Sequence, residues 1–404
     1  MDGMIDIAMI VAGLAVAALL FWPRVARAQL WRATVTPLAS IIGSGFLILG
    51  PILTDSFGTW GILAMGLLCL VGYLFGAAIR YNMERIDEPD LDTVTADRIE
   101  WLSSWALAFA YVISVAYYLN LFGAFAARIF GAPSALLGRE ITTGAYVLIL
   151  AAGMTRGFSL LERMEQMTVS IKLIVIAALV AALAVHAGVE WDGHHLKESG
   201  MKMGLIGSIQ LLFGLIVTVQ GFETSRYLGG HYSSGMRQVS MRLSQWIATG
   251  IYLAYVVLLA VSFESGTFAL DETAIIDLMR SVSAVLGPLL ILAALSAQFS
   301  AAVADTNGTG GLFAELTRGR VSPKLTYLGL VGIGLALTWL ADVFEIVSYA
   351  SRAFAFYYAL QSALAAIRAW VGGAPRHRRR RCLGFALLTV LGLAAAVFGA
   401  PVEG

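Results

Sequence analysis

The chain has 404 residues, of which 59% are hydrophobic and only 13% charged, with a mean hydropathy of +0.79 and a formal net charge of +1. This composition excludes a soluble globule, whose surface needs far more charge, and the one compact basic cluster gives no footprint for nucleic acid. The two cysteines, Cys69 and Cys382, supply neither a disulfide framework nor a metal-ligand spacing.

Apolar runs long enough to cross the hydrocarbon core begin near Ala8, Thr36, Trp60, Trp105, Gly144, Ile171, Gly204, Trp246, Gly287, Tyr327, Ile346 and Phe385, which predicts an all-α membrane protein of about twelve spans. The first run opens with Asp2 and Asp6 and is followed by Arg24, Arg27 and Arg32, the reverse of a signal peptide's charge order. It reads as a true span with its N-terminus outside. Alternation from there puts 21 of the 27 basic residues on the inside, leaving Arg128, Arg139, Lys197, Lys202 and Arg280 outside and Arg352 within a span. The run Arg376–Arg381 reads as a topological anchor in preference to a nucleic-acid or anionic-lipid patch.

The second run, TPLASIIGSGFLILGPIL, carries Gly43-Ser44-Gly45 at its midpoint. Unwound backbone at membrane depth persists only where it is buried in protein or lines a cavity. Interrupted helices in equivalent positions of two inverted repeats point to a transporter's binding site. A second interruption exists in GLIGSIQLLFGLIVTVQGFETSRYLGG, at Gly221-Phe222-Glu223. Setting the first helix aside, spans two to six cover 33–187 and spans seven to eleven cover 204–370. The expected organisation is an extra N-terminal helix (1–32), a 5+5 core (33–370), and a basic loop with a C-terminal helix (371–404).

The GSG and GFE breaks, the stretch RGFSLLERMEQMTVSIKLIVIAALV and the stretch AQFSAAVADTNGTGGLFAELTRGRVSPKL together resemble the amino acid/polyamine/organocation permeases, which have the LeuT fold. The resemblance covers about residues 33–340, without the family's usual proline signals after the sixth core helix and with an added N-terminal helix. It implies a secondary active transporter of a small amino acid or organic amine, working by alternating access in a bacterial inner membrane.

Freed N–H groups at the outer half of a broken helix, with its dipole, form an anion site, so Ser44, Gly45 and Phe46 are candidates for a substrate carboxylate. The carbonyls of Val219, Gln220 and Gly221 suit an ammonium or a cation, and the resemblance implies that Phe222 covers the substrate. The candidate substrate site is thus Ile42, Gly43, Ser44, Gly45, Phe46, Val219, Gln220, Gly221, Phe222 and Glu223, with Tyr111 and Tyr118 seven apart on one helical face. Glu223, a membrane-embedded carboxylate, either titrates, faces a cation or pairs with Arg226 three residues on. By resemblance, Lys172 of the fifth core helix and Asp305 of the eighth form the preferred proton-coupling element. A sodium site from Asp305, Thr306 and carbonyls of 39–42 is the alternative.

Arg352 is expected to pair with Glu345, seven residues earlier. His194 and His195 read as solvated loop, and no metal site is expected. There is no phosphate loop, nucleophile elbow or HExxH motif, so no enzyme and no cofactor are expected. Expected partners are a small-molecule substrate and the bilayer. Alternative readings are an inorganic-cation transporter of the same fold and a non-transporting sensor.

Overall fold

The computed structural model describes residues 2–43, 45–85, 94–130, 134–155, 159–190, 200–228, 232–263, 270–372 and 375–402. Ser44, Asp192, His194, His195 and Gly229-Gly230 lie outside the described residues. All regular structure among the described residues is helical: α1 (Asp2–Phe21), α2 (Pro23–Ala26), α3 (Gln29–Ile41), α4 (Gly45–Phe57), α5 (Gly61–Glu84), α6 (Val94–Ala127), α7 (Ala135–Thr155), α8 (Ser159–Glu190), α9 (Leu205–Gly214), α10 (Ser234–Ser262), α11 (Ala274–Val282), α12 (Leu286–Leu316), α13 (Pro323–Leu340), α14 (Val343–Gly372) and α15 (Pro375–Phe398).

Local chemistry sets several boundaries. Ser322 accepts from the Leu325 N–H to cap α13, with Pro323 in its first turn, and Ser233 caps α10 through the Met236 N–H. The α14 start is a reciprocal box: Asp342 Oδ1 accepts from the Glu345 N–H at 2.8 Å, and Glu345 Oε2 accepts from the Asp342 N–H at 3.0 Å. Glu345 is thereby occupied at the head of its own helix. The expected Glu345–Arg352 pair does not form. Arg352 instead donates to the Ala396 and Val397 carbonyls, 2.8 and 3.2 Å away, closing the C-terminus of α15. A cation at a helix C-terminus also meets the dipole favourably.

Nine helical segments among the described residues are long and apolar enough to cross a membrane, and one of them, Gly45–Glu84, contains both α4 and α5. The interrupted segments fall short individually because α3 has 13 residues and α9 has 10. The 30-residue α14 carries Glu345, Arg352 and Arg368 within its length. Outward faces are apolar where lipid is the solvent: Ile7, Ile10, Val11 and Leu14 on α1, and Leu383, Leu387 and Val390 on α15, are all exposed.

Contacts between distant segments join residues that alternation assigns to one side. At one end Lys202 pairs with Asp55 (2.6 Å), Ser283 donates to Asp6 (3.1 Å) and Arg128 pairs with Asp277 (2.7 Å). At the other, Arg226 pairs with Glu100, Ser234 donates to the Met83 carbonyl (2.8 Å) and Arg381 lies over the Tyr81 ring. Between the two ends α6 is flanked by α12 and α14, and α10 packs on α3 and α5. These helices enclose the two interruptions.

Candidate functional site

The first interruption separates α3 from α4. Ile42 leaves helical geometry (φ −80°, ψ 34°), its N–H and that of Gly43 closing the last turn on Leu38 and Ser40 carbonyls. The second is longer. After α9 the chain makes a tight 3-10 turn over Ile216–Val219, passes through extended Gln220 and Gly221, and resumes as a 3-10 segment, Phe222–Leu228. Gly221 has φ +114°, a conformation that side-chain-bearing residues rarely adopt.

The interruptions lock into each other. A Cβ on Gly221 would lie 2.6 Å from Ser40 C and 2.7 Å from Ile41 N, and a Cβ on Gly45 would lie 2.5 Å from Thr218 Cα. Each break thus presents a glycine to the other's backbone, an approach that small residues permit in lipid.

Backbone groups freed by unwinding find specific partners, as burial in hydrocarbon requires. Tyr252 Oη of α10 lies 2.6 Å from the Ile41 carbonyl and 2.9 Å from the Thr218 carbonyl, one hydroxyl bridging both breaks. Lys172 Nζ of α8 donates to the Ala39 carbonyl at 2.8 Å. Ser351 Oγ of α14 accepts from the Val217 N–H at 3.0 Å. The Phe46 ring stacks near Tyr252 (5.7 Å between centroids) and tilts against Tyr255 (4.4 Å).

Glu223 is fully buried. Its Oε2 accepts from the Gly221 N–H (3.0 Å) and the Tyr358 hydroxyl (2.9 Å), while its Oε1 has no hydrogen-bond partner among the described residues. Pairing with Arg226 does not occur: that guanidinium goes instead to Glu100 and to Gln361 Oε1. Gln361 continues the chain of contacts to Ser103 and Asn82, so this polar group ties α5, α6 and α14 together beneath the site. Two residues before Glu223 stands Gly221, and Gln220 beyond it donates to Tyr118 Oη (2.8 Å) while its own Oε1 lacks a partner. Among the described residues this carboxylate is held by neutral donors alone, with amide and carboxylate oxygens left open nearby, an acceptor-rich centre of a kind that a cation completes.

The remaining expected residues are placed as follows. Phe222 is buried and stacks on Tyr358 (5.1 Å), and Val219 is buried in the core. Tyr111 packs on Phe354 and over Gly308. Asp305 of α12 accepts from Ser114 of α6. Thr306 donates to the Ala302 carbonyl of its own helix (2.7 Å). Lys172 and Asp305 are both buried in the helix bundle, at 4% exposure each.

Sequence reasoning did not single out Tyr252, Tyr358, Ser114 or Gln298. Gln298 is wholly buried, and neither its Oε1 nor its Nε2 has a partner among the described residues. It lies two helical turns from Asp305 on one face of α12. Arg80 was missed as a buried cation: it donates to Gln245 and covers the Tyr73 ring at 4.7 Å. For Gln298 and Arg80, isolated polar residues in apolar runs were the available signal.

An all-α bundle with multiple membrane-length helices, two interlocked helix breaks and polar side chains converging at the breaks defines a multi-pass membrane transporter architecture. The chain belongs to a family of APC superfamily transporters, whose model matches residues 23–399. It is also similar to a protein of Aquifex aeolicus (strain VF5), described as an uncharacterized protein, with 40% identity over 390 residues, 94% of this chain and 93% of the relative.

Proposed function

We propose that the chain is a secondary active transporter of a small amino acid or organic amine, driven by protons and operating by alternating access. In this reading the core is a 5+5 inverted repeat of the LeuT type in a bacterial inner membrane, with the N-terminus outside. The observation that carries it is the pair of interlocked breaks with Glu223 beside them, fully buried and lacking a cationic partner among the described residues. An ammonium group would complete the open acceptors of Glu223 and Gln220, and the α4 N-terminus would face a carboxylate.

Proton coupling is favoured over sodium by Lys172, whose ammonium already occupies the Ala39 carbonyl that the sodium alternative needs. The Ile41 carbonyl of that same set is occupied by Tyr252. Uptake of a panel of amino acids and amines into proteoliposomes under an imposed pH gradient tests the reading. Gradient-driven accumulation is expected, and Lys172→Ala and Asp305→Asn each abolish it while sparing substrate-induced thermal stabilisation. Stabilisation by metal salts but by no amine overturns the substrate class, and undiminished uptake by both variants removes the coupling pair.

A further inference from the structure

A second polar cavity lies at the end of the molecule that carries the Arg128–Asp277 pair. It has a volume of about 250 Å³ and sits where α6 ends, α7 begins and α13 turns into α14, with Asp271, Glu272 and Thr273 closing it ahead of α11. None of its lining residues belongs to α3, α4, α9 or α10, so it stands apart from the breaks. Small residues make the room: Ala124 and Ala127 on α6, Ala135 and Gly138 on α7, and Ala341. Asn120 is one turn below Ala124 on the same face of α6 and forms the floor.

Asn120 is 7% exposed. Its Nδ2 donates to the Ala116 carbonyl (2.8 Å) and to Thr338 Oγ1 (2.9 Å). Thr338 gives its own hydroxyl proton to the Gly334 carbonyl (2.9 Å) and can only accept from Asn120, which fixes the orientation of the amide. The Asn120 Oδ1 is thereby left as an acceptor at the cavity floor, with no donor to it among the described residues. Three carboxylates line the walls. Asp271 is taken up by Arg128 (3.6 Å) and Thr273 (2.7 Å), and Asp342 gives only Oδ1 to the Glu345 N–H. Glu272 is half-buried and forms no ion pair among the described residues. Arg128 is shared between Asp271 and Asp277, and Arg139, the base among the lining residues, is left against both Glu272 and Asp342. The flanking segments 131–133 and 264–269, outside the described residues, contain Glu264 and no base.

An anion here would meet excess negative charge and leave the Asn120 oxygen unsatisfied. Among the described residues no three His, Cys, Asp or Glu side chains converge to hold a metal ion. A primary ammonium brings three donors to carboxylate and amide oxygens, and Val343 and Phe344 offer an apolar wall to a short alkyl chain. We propose that this cavity is a second ligand site, for a small alkylammonium ion whose head is held by Asn120 Oδ1, Glu272 and Asp342. The site does not depend on the one proposed at the breaks.

The test is equilibrium dialysis of the purified full chain, in uncharged detergent, against radiolabelled n-butylammonium, with n-butanol and calcium chloride as competitors. In a Glu223→Gln protein, which removes the carboxylate of the site at the breaks, one saturable equivalent is expected to remain. Adding Glu272→Gln or Asp342→Asn weakens it about tenfold, the difference between a charged and a neutral hydrogen bond. Both changes keep the side chain's shape, and asparagine still caps α14. Adding Glu140→Gln, which removes an exposed acid of α7 outside the cavity lining, leaves binding near the Glu223→Gln value. The site is overturned by the absence of saturable binding to Glu223→Gln, by unchanged binding after both Glu272→Gln and Asp342→Asn, or by equal loss with Glu140→Gln. Displacement by n-butanol or calcium as readily as by unlabelled n-butylammonium overturns it as well. The site at the breaks is read separately, as a further equivalent bound by wild type and lost in Glu223→Gln.

Discussion

Replacing Gly221 by alanine tests the interlock of the two breaks most directly. At φ +114° an alanine sits in strained backbone, which costs about 1–3 kcal/mol. The new methyl would also stand 2.6 Å from Ser40 C and 2.7 Å from Ile41 N, backbone atoms that move only if α3 moves. Overpacking of that kind adds about 1–3 kcal/mol, for a combined destabilisation of about 2–6 kcal/mol. Gly45→Ala meets Thr218 Cα at 2.5 Å but has no positive φ, so only the overpacking penalty applies. Thermal and denaturant unfolding of the purified variants should therefore rank wild type above Gly45→Ala above Gly221→Ala. Transport activity should fall with both, since the displaced segments carry the freed carbonyls. A Gly221→Ala protein within 0.5 kcal/mol of wild type, or more stable than Gly45→Ala, refutes the interlock.

Glu223→Gln keeps an oxygen for the Gly221 N–H and the Tyr358 hydroxyl while removing a buried charge, so its unfolding midpoint is expected at or above wild type. Its uptake of amine substrates should drop about tenfold or more, the equivalent of about 1.4 kcal/mol; wild-type uptake would show that the carboxylate is only structural. Tyr252→Phe retains the ring beside Phe46 but leaves the Ile41 and Thr218 carbonyls without their shared donor, a loss of about 1–3 kcal/mol measurable by denaturant unfolding. Glu272 lies outside the spans, next to Asp271 and Arg128, where burial raises its carboxyl above the ordinary range. Because the folded pKa is raised, the protonated form is favoured by folding, and stability is lost as pH climbs from the unfolded value through the folded one. Glu272→Gln should flatten that slope in unfolding titrations, and an unchanged slope would assign the pH dependence elsewhere.

The helical membrane class was legible because a bilayer imposes length and hydropathy on every span. The two breaks were legible as glycines where a continuous helix has no use for them. What could not be read was which breaks touch and what holds them. Tyr252 is one of 14 tyrosines, most placed in apolar runs, and its role arises from carbonyls 211 and 34 residues away in the chain. The Glu345–Arg352 expectation failed for a local reason. Seven-residue spacing puts two side chains on one face, but the N-terminal box with Asp342 captured Glu345 first, and the open C-terminus of α15 captured Arg352. The Glu223–Arg226 pair, one of three readings of that carboxylate, does not form even though a 3-10 turn stacks residues three apart on one face, because Glu223 Oε2 is held by the Gly221 N–H and the Tyr358 hydroxyl. The arginine goes instead to Glu100 and Gln361.

The energetics of the breaks also bear on the proposed alternating access. In the present conformation the unwound backbone is held from three helices: by Lys172 of α8, Tyr252 of α10 and Ser351 of α14. A neutral hydrogen bond contributes about 0.5–1.5 kcal/mol net and one from a charged group about 1.5–3 kcal/mol, so the three together amount to about 2.5–6 kcal/mol. Any displacement of the α3–α4 segment relative to α8 and α10 must release the first two. That sum is of the order separating the major and minor states of a two-state protein, small enough for a bound substrate or a proton to reverse. The charge-assisted part of the Lys172 bond to Ala39 amounts to about 1–1.5 kcal/mol of that sum, comparable with a whole neutral contact. On the proposed proton coupling, protonation state and the position of the first interrupted helix would be linked through this one hydrogen bond. For this reason Lys172→Ala is expected to uncouple transport, whereas Ser351→Ala, which removes only a neutral acceptor, is expected to slow it.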